Sequence, residues 1–524
     1  MKKLQRNLAL VICIIMLGTV LAACGKSSTN EPAASPSTSA SKGEAASVSP
    51  EESKEPLKEV TLKIVTAGDD RPAKQEVLNA LYELTKDRLN AKFELNFIPF
   101  GDYQQKLTMM ASSGDNYDAA FTADWFGYAS MVNKGAFLDL SDLMPKYAPN
   151  LYKFYQDNDM LSSASVKGKL MAVPWTEIKT SKPVINYRKD IADKLNVQPG
   201  DLTTIEGIDA FLTAIAAAKP GMTVYDMAMK GDAGDIVTLL QPKYEMQDIG
   251  FNTLYIDVND ATAKVVPLEQ TELFKEAVHL AKKWYDTGVI SKNALADKDN
   301  EPFVTGKVFA GKSTSGALYE VTNFTDKSAV KAAVEVYPNK KFARDSQMNN
   351  AMAINANAAN PERMLMFMDL LSSDQEVYDL FFYGIKDKTY TLDADGVVGF
   401  TASEDPAKPL WQSWFNWGFY RSALARPTAS SSAEAMKNNL AYASRSNIVA
   451  SPLAGFVPSP DAIKTELTQR AQLSSEQGKL LLSGIVKGDI DTAINAYIEK
   501  QKAAGLDKII ADVQKQIDEF LATK

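Results

Sequence analysis

The sequence predicts an α/β fold built on a helix-wrapped parallel sheet, and three features point to it. Short apolar runs alternate near the start of the body, helical periodicity lies between those runs, and the chain closes on long amphipathic helices. In Val60–Val65 (VTLKIV), Val60, Leu62 and Ile64 alternate as on a half-buried strand. Residues 72–89 open on Pro72 at a first-turn position, and Val77, Leu81 and Leu84 recur at helical spacing. Phe93, Leu95 and Phe97 alternate again, a second helix is expected over 102–112, and Tyr117–Thr122 reads as a third strand. Strand, helix, strand, helix, strand begins a parallel sheet covered by helices.

Ligands of such sheets bind in the crevice beyond the carboxyl ends of the strands. Three loops leave those ends: Ala67–Arg71 (AGDDR), Pro99–Asp102 (PFGD) and Ala123–Phe126 (ADWF), all rich in polar or aromatic side chains. Further on, residues 271–287 form a helix ended by Gly288, and 361–372 form one that begins on Pro361. Ser459-Pro-Asp is a helix start, Ile490, Ile494, Tyr497 and Ile498 share a face, and Gly505 ends that helix. Leu506, Ile509, Ile510, Val513, Ile517 and Phe520 mark a final amphipathic helix.

At 524 residues the chain can fill two or three cores of ordinary size. Hydrophobic residues at 45%, aromatics at 9% and charged residues at 23% describe a globular protein. The formal net charge is -8; Lys2, Lys3 and Arg6 are the only charges in residues 1–23, which leaves -11 for the rest. That charge disfavours unspecific nucleic-acid binding and gives no polybasic handle for anionic lipid. Both cysteines, Cys13 and Cys24, precede the body, so the body holds no disulfide and no thiolate metal site.

The first residues read as an address. A basic head (Met1–Arg6) precedes the apolar stretch Leu8–Leu17, which is too short for a stable bilayer span, and Leu21-Ala-Ala-Cys24 follows. This last element resembles the lipobox of bacterial lipoproteins, in which the cysteine is acylated and becomes the new N-terminus. Two or more acyl chains hold a protein firmly, whereas one binds marginally. Residues 25–59 contain no aromatic residue and are dominated by Ser, Ala, Pro, Glu and Lys, the composition of a flexible tether.

Several segments of the body resemble the family 1 extracellular solute-binding proteins, particularly the LipO-like lipoproteins. Met131–Leu140 (MVNKGAFLDL) with Tyr147–Asn150 (YAPN) looks like that family's lobe-one helix and loop. Gly168–Pro174 (GKLMAVP) and Asn186–Asp190 (NYRKD) look like the crossover between lobes, although Met171 stands where an aromatic is common. Met352–Asn355 (MAIN), Asn360–Arg363 (NPER) and Tyr383–Tyr390 (YGIKDKTY) are the strongest match. The run from Gly455–Pro458 (GFVP) through Lys502–Asp507 (KAAGLD) is similar to an uncharacterised module that closes LipO-like proteins.

The resemblance implies a two-lobed, periplasmic-binding-protein-like (type II) fold with hinge strands between the lobes and a helical C-terminal tail. Its division of the chain is a signal peptide at 1–23 and a lipidated Cys24 with tether at 24–59. Lobe one then takes 60–180 plus 335–388, and lobe two takes 181–334 plus 389–524, including the C-terminal helical module. The implied function is that of a lipid-anchored binding component of an ABC importer on the extracellular face of the bacterial membrane. A monomer would hold a small polar solute, an oligosaccharide above all, in an interlobe cleft and deliver it to a permease and an ATPase on separate chains. No nucleic acid, cofactor or catalysis is implied. A surface-anchored glycoside hydrolase is the alternative, since two carboxylates suffice for that chemistry, but no paired-carboxylate motif is present.

Sugars are bound by aromatic faces that stack on the apolar side of the ring, with planar polar groups on the hydroxyls. Trp125 follows a predicted strand end and Trp175 follows the crossover strand, where a cleft or a lobe core would lie. Trp411, Trp414 and Trp417 are spaced three apart; at least one is expected to face ligand and at least one to be core, with Trp411 and Trp414 put forward for the site. Asp70, Asp124, Glu177, Arg188 and Asn416 are the polar candidates, and Tyr187 and Tyr319 complete the ligand-binding set. The lone histidine, His279, lies on the predicted 271–287 helix with nothing nearby to make it a catalytic base, so a helix-surface position is expected. Asp393-Ala-Asp-Gly396 has its glycine misplaced for a calcium loop and reads as a β-turn, so no metal ligand is assigned.

If Cys24 carries the acyl chains, Cys24→Ala should abolish acyl labelling of the protein in cells. Undiminished label on that variant would refute the anchor.

Overall fold

The computed structural model describes residues 57–523, except 226, 228–233, 252, 294, 296–302, 404–408 and 412–413, and of Trp414 and Phe415 it describes the backbone alone. The signal peptide, Cys24 and nearly all of the tether lie outside the described residues.

β1 (Val60–Ala67), α1 (Lys74–Leu89), β2 (Ala91–Ile98), α2 (Phe100–Ser113) and β3 (Ala119–Thr122) follow the order read from the sequence. β1 runs parallel to β2 over its full length, from Val60 opposite Ala91 to Ala67 opposite Ile98, and parallel to β3 on its other side. β1, inside the sheet, is buried on every residue from Ile64 to Ala67, as expected of a strand covered on both faces, whereas the edge strand β2 alternates, burying Ala91, Phe93 and Leu95 and exposing the residues between them. Val77, Leu78, Leu81 and Leu89 of α1 are buried on the same core. Asn90 ends α1 in the left-handed region, at φ 41°, and its N–H closes the last turn on the Lys86 carbonyl.

Two more strands complete this sheet. β4 (Val173–Pro174) and β9 (Ala351–Ile354) give the order β2-β1-β3-β9-β4, with β9 antiparallel to both neighbours. A second sheet holds β5 (Pro183–Arg188), β6 (Thr223–Tyr225), β7 (Val308–Thr314) and β8 (Lys331–Glu335) in the order β8-β5-β7-β6. Each sheet has its own core. The first gathers β1–β4 and β9 with α4 (Pro361–Ser373) and α5 (Gln375–Tyr383). The second surrounds the buried face of α3 (Glu272–Thr287), where Leu273, Phe274, Ala277, Val278, Ala281 and Trp284 fall at helical spacing.

The chain passes from β4 to β5 through residues 175–182 and returns from β8 to β9 through 336–350. These two connections are bonded to each other. The N–H and Oγ–H of Ser181 both donate to the Asp345 carboxylate at 2.7 Å, and the Asp345 N–H donates to the Lys179 carbonyl at 3.3 Å. Lys182 is fully buried beside them. Its ammonium donates to the carbonyls of Tyr337 (2.9 Å) and Lys340 (3.0 Å) and lies 3.2 Å from Glu335.

Residues 389–524, assigned as a block to the second lobe, divide between cores. Trp411 and Phe419 lie in the first core, Leu481, Leu482, Ile494 and Tyr497 in the second. A third core joins α8 (Leu506–Ala522) to the strand Leu254–Asp257. α6 (Lys464–Leu473) brings Arg470 into this region with no exposed surface, against Glu269 at 2.9 Å and Gln501 of α7 (Ile490–Ala503) at 3.0 Å. His279 is exposed and lies 2.9 Å from Asp491. Asp393 caps its own turn, accepting the N–H groups of Asp395 and Val397 between two short paired strands.

Arg470→Met should cost about 3–5 kcal/mol of stability, because Glu269 is left as an uncompensated buried carboxylate. Arg470→Met combined with Glu269→Leu should recover most of that loss in denaturant titrations. A double variant no more stable than the single would count against the ion pair as the reason.

Candidate ligand site

Beyond the carboxyl end of β3, the turn Ala123–Phe126 carries a run of stacked rings. Trp125 is 45% exposed and lies 5.0 Å from Phe126, which stacks on Phe100 at 4.8 Å and on the buried Tyr103 at 5.3 Å. The Trp125 indole N–H donates to the Asn349 carbonyl at 2.6 Å, so the ring is pinned to the returning connection. The neighbouring Asp124 accepts the Trp125 N–H at 2.7 Å. Protein around it pushes its carboxyl above the usual range, although Ser346 and the Trp125 amide pull it back.

The outgoing connection supplies a second wall. The Trp175 N–H donates to the Asn350 carbonyl (3.0 Å) and the Thr176 N–H to the Tyr420 carbonyl (3.1 Å). Ser422 closes the join, donating its N–H to Thr176 Oγ1 and its hydroxyl to the Thr176 carbonyl. The Lys179 ammonium sits 4.5 Å over the Trp175 ring and 3.3 Å from Glu177, while Tyr420 meets that ring edge-on. Burial pushes the Glu177 carboxyl up, and nearby Asp345 adds to it, against the pull of Lys179.

The third wall is the aromatic turn Trp414–Phe419, a 3-10 helix. It lies directly on β9: a Cβ at Gly418 would come within 2.7 Å of Met352 Sδ and 2.8 Å of the Ala351 carbonyl. That close seat turns Phe419 into the first core and leaves Trp417 37% exposed.

Together these walls enclose a cavity of about 500 Å³. Trp125, Trp175, Phe382, Trp417 and Tyr420 give it ring faces and edges, and Glu177, Lys179, Asn350 and Asn416 give it polar groups. Three of the lining side chains are buried with a polar atom that has no partner among the described residues: Trp175 Nε1, Asn350 Oδ1 and Asn416 Oδ1. The Asn416 amide is oriented by its own bond to the Phe382 carbonyl, which takes the NH₂ group and leaves the oxygen toward other partners. One donor and two acceptors, fixed among aromatic rings, match a ligand that both gives and accepts hydrogen bonds.

The structure thus brings together Trp125, Trp175, Glu177 and Asn416 from the sequence-derived set, with Asp124 adjoining through Trp125. Others lie elsewhere. Trp411 is 1% exposed, donates to the Phe381 carbonyl and belongs to the first core. Tyr187 packs edge-on against Phe211 in the second core, because all six residues of β5 are buried. Arg188 is taken up by Asp190 at 2.6 and 2.8 Å, and its guanidinium lies 5.2 Å over Phe324. Asp70 is exposed and ion-paired to Lys74, and Tyr319 contacts Tyr442. The Trp414 side chain lies outside the described residues. Trp417, Tyr420 and Asn350 complete the site instead; the spacing of the tryptophans held the signal for the first, whereas Asn350 has none in the sequence.

Comparison with known proteins agrees with this architecture. The family described as bacterial extracellular solute-binding protein matches residues 80–384, and a domain of unknown function matches residues 452–522. This chain belongs to the bacterial extracellular solute-binding proteins. The solute-binding protein is 25% identical over 475 residues to a carbohydrate ABC transporter substrate-binding protein of Streptococcus pneumoniae, covering 88% of this chain and 91% of that one. It is 23% identical to lipoprotein LipO of Bacillus subtilis, covering 81% and 86%. Its fold is that of the N-glycan transport solute binding protein of Streptococcus pneumoniae, with a TM-score of 0.72, 22% identity and coverage of 89% and 99%. A structure of that protein in complex with Man5GlcNAc gives a TM-score of 0.60 at 23% identity, with coverage of 89% and 99%. The two-lobed fold expected from the sequence is therefore the fold of the solute-binding protein, and among its described residues no helix is long and apolar enough to cross a membrane.

Trp411→Ala should lower stability by about 3–5 kcal/mol, whereas Trp417→Ala, at a partly exposed ring, should leave the melting temperature nearly unchanged. Thermal melts of both variants without ligand check the assignment of one ring to core and the other to the cavity.

Proposed function

We propose that this solute-binding protein captures an oligosaccharide in the cavity around Trp125, Trp175 and Trp417 for delivery to an ABC importer. The single observation that carries the reading is the set of buried, unpartnered polar atoms on Trp175, Asn350 and Asn416 among aromatic rings. Leaving such a group unsatisfied costs about 1–3 kcal/mol. A sugar repays it, because each hydroxyl both donates and accepts, while the ring's C–H face lies against an aromatic face. The names of the relatives, a carbohydrate transporter component and a glycan transport protein, support the same class of solute.

In this reading no residue performs chemistry. The bound solute favours a closed arrangement of the lobes and leaves intact. Cys24 anchors the protein to the extracellular face of the membrane, and permease and ATPase are other chains.

A panel of neutral, amino and acidic oligosaccharides, screened by thermal shift, should include members that raise the melting temperature by mass action. The Trp175 ring is 6% exposed, so truncating it would disturb folding as well as binding. Trp417→Ala is the cleaner probe and should weaken binding of such a glycan by about 1–3 kcal/mol in calorimetric titration. The glycan should be recovered uncleaved after incubation. Cleavage would favour a hydrolase, and a panel with no binder at all would reject the oligosaccharide reading.

A further inference from the structure

A smaller cavity of about 170 Å³ adjoins the larger one, and Trp417 lines both. It opens where β1 ends and α2 begins. Thr66, Ala67 and Gly68 form its floor, and Phe100, Phe121 and Trp417 give it aromatic walls. Arg71 also lines it. This arginine is only 8% exposed, yet its Nε–H has no hydrogen-bond partner among the described residues.

A guanidinium donates and never accepts, so whatever completes Arg71 must offer an acceptor. Both acidic and neutral acceptors meet that condition, and the local charges decide between them. Asp69 lines the same cavity, Asp70 is next in sequence, and Lys74 is ion-paired to Asp70 at 2.6 Å. Two carboxylates thus already face two cations. Burial lowers the Arg71 pKa from its ordinary value, while Asp69 and Asp70 hold its charge in place. A ligand carboxylate would bring a third negative charge beside Asp69 without a cation of its own. A neutral carbonyl would not. The mostly apolar walls also favour an acceptor that carries a methyl group over a hydroxyl, which would bring a further O–H to be satisfied.

We propose that this cavity is a subsite for one 2-acetamido sugar unit, whose acyl oxygen accepts from Arg71 and whose methyl group lies against Phe100, Phe121 and Trp417. The proposal rests on the oligosaccharide reading of the larger cavity. Because Trp417 forms a wall of both cavities, a chain stacked on that ring in the larger one would place its next unit in the smaller one.

Chitobiose and cellobiose share their linkage and differ in the acetamido groups, so they isolate the feature. Calorimetric titration of the solute-binding protein should show chitobiose binding at least about tenfold tighter, the scale of one hydrogen bond to a charged group. Arg71→Met keeps the aliphatic stem and removes the donors; it should abolish the difference between the two sugars. If that variant fails to fold in a melt, Phe100→Ala, at a ring 46% exposed, serves in its place and should weaken chitobiose by about tenfold while leaving the fold intact. Equal affinity for both disaccharides, a preference that survives Arg71→Met, or tighter binding of a glucuronate-ended disaccharide would each overturn the subsite. Failure of chitobiose to bind while other glycans of the panel bind would overturn it too, leaving the oligosaccharide reading standing. Failure of the whole panel would overturn both.

Discussion

The buried ammonium of Lys182 holds the two connections between the sheets in one arrangement. An unpaired charge in that position would be expensive, and the protein meets the cost with three carbonyls of the returning connection, those of Tyr337, Pro338 and Lys340, and the Glu335 carboxylate. Burial lowers the lysine's pKa, and Glu335 opposes that. Glu335 also accepts from Arg445 at 2.8 Å and from the Tyr442 hydroxyl at 2.6 Å, so the same carboxylate ties in the helix that follows the aromatic turn. Together with the bonds from Ser181 to Asp345 and from Trp175 to Asn350, this knot ties residues 175–182 to residues 336–350, so the groups they carry into the cavity keep their spacing.

That spacing matters because the site is assembled from segments far apart in the sequence. Trp175 and Glu177 come from the outgoing connection, Asn350 from the returning one, Trp125 from the end of β3, and Trp417 and Tyr420 from the turn on β9. Each join is a short hydrogen bond to a backbone carbonyl: the Trp175 N–H to Asn350, the Thr176 N–H to Tyr420 and the Trp125 indole N–H to Asn349. Preorganised donors and rings lose little freedom when ligand arrives, so more of the contact energy remains as affinity. The requirement for Gly418 has the same origin, since any side chain there would lift the turn off β9 and withdraw Trp417 from both cavities.

The first lobe was legible in the sequence because period-2 and period-3.6 patterns alternate cleanly from Val60 to Thr122, and the observed elements differ from the expected ones by a few residues at their ends. The polar end of the site was much less so. A strand such as Pro183–Arg188, buried on every residue, has no alternation to separate a cleft-facing Tyr187 from a core one. Trp411 and Trp417 each lie three residues from Trp414 in the sequence; what sorts them is tertiary contact, with Phe381 receiving one and β9 supporting the other. Asn350 and Arg71 matter through atoms that lack a partner, a property that belongs to the packed structure and leaves no trace in composition or period.

The C-terminal region adds a further constraint on how the lobes can move. The strand Ile448–Val449 pairs with Phe342–Ala343 of the returning connection, and the Arg344 N–H donates to the Val449 carbonyl at 2.7 Å. The chain then crosses to the first lobe. A Cβ at Gly455, which has φ 85°, would fall 2.3 Å from the Ser162 carbonyl oxygen, Val457 packs on the first core, and Asn133 donates to the Pro458 carbonyl. Immediately afterwards Ser459 is held by Gln516 of α8 through two hydrogen bonds, and the remaining helices are locked to the second lobe by Arg470 and Glu269. One continuous stretch therefore grips the hinge, the first lobe and the second in turn. Packed interfaces shift between discrete arrangements more readily than they deform. A rotation of the lobes must accordingly either carry the Gly455–Pro458 contact with it or break it, because the seat of Gly455 on Ser162 leaves no room for even a Cβ between them.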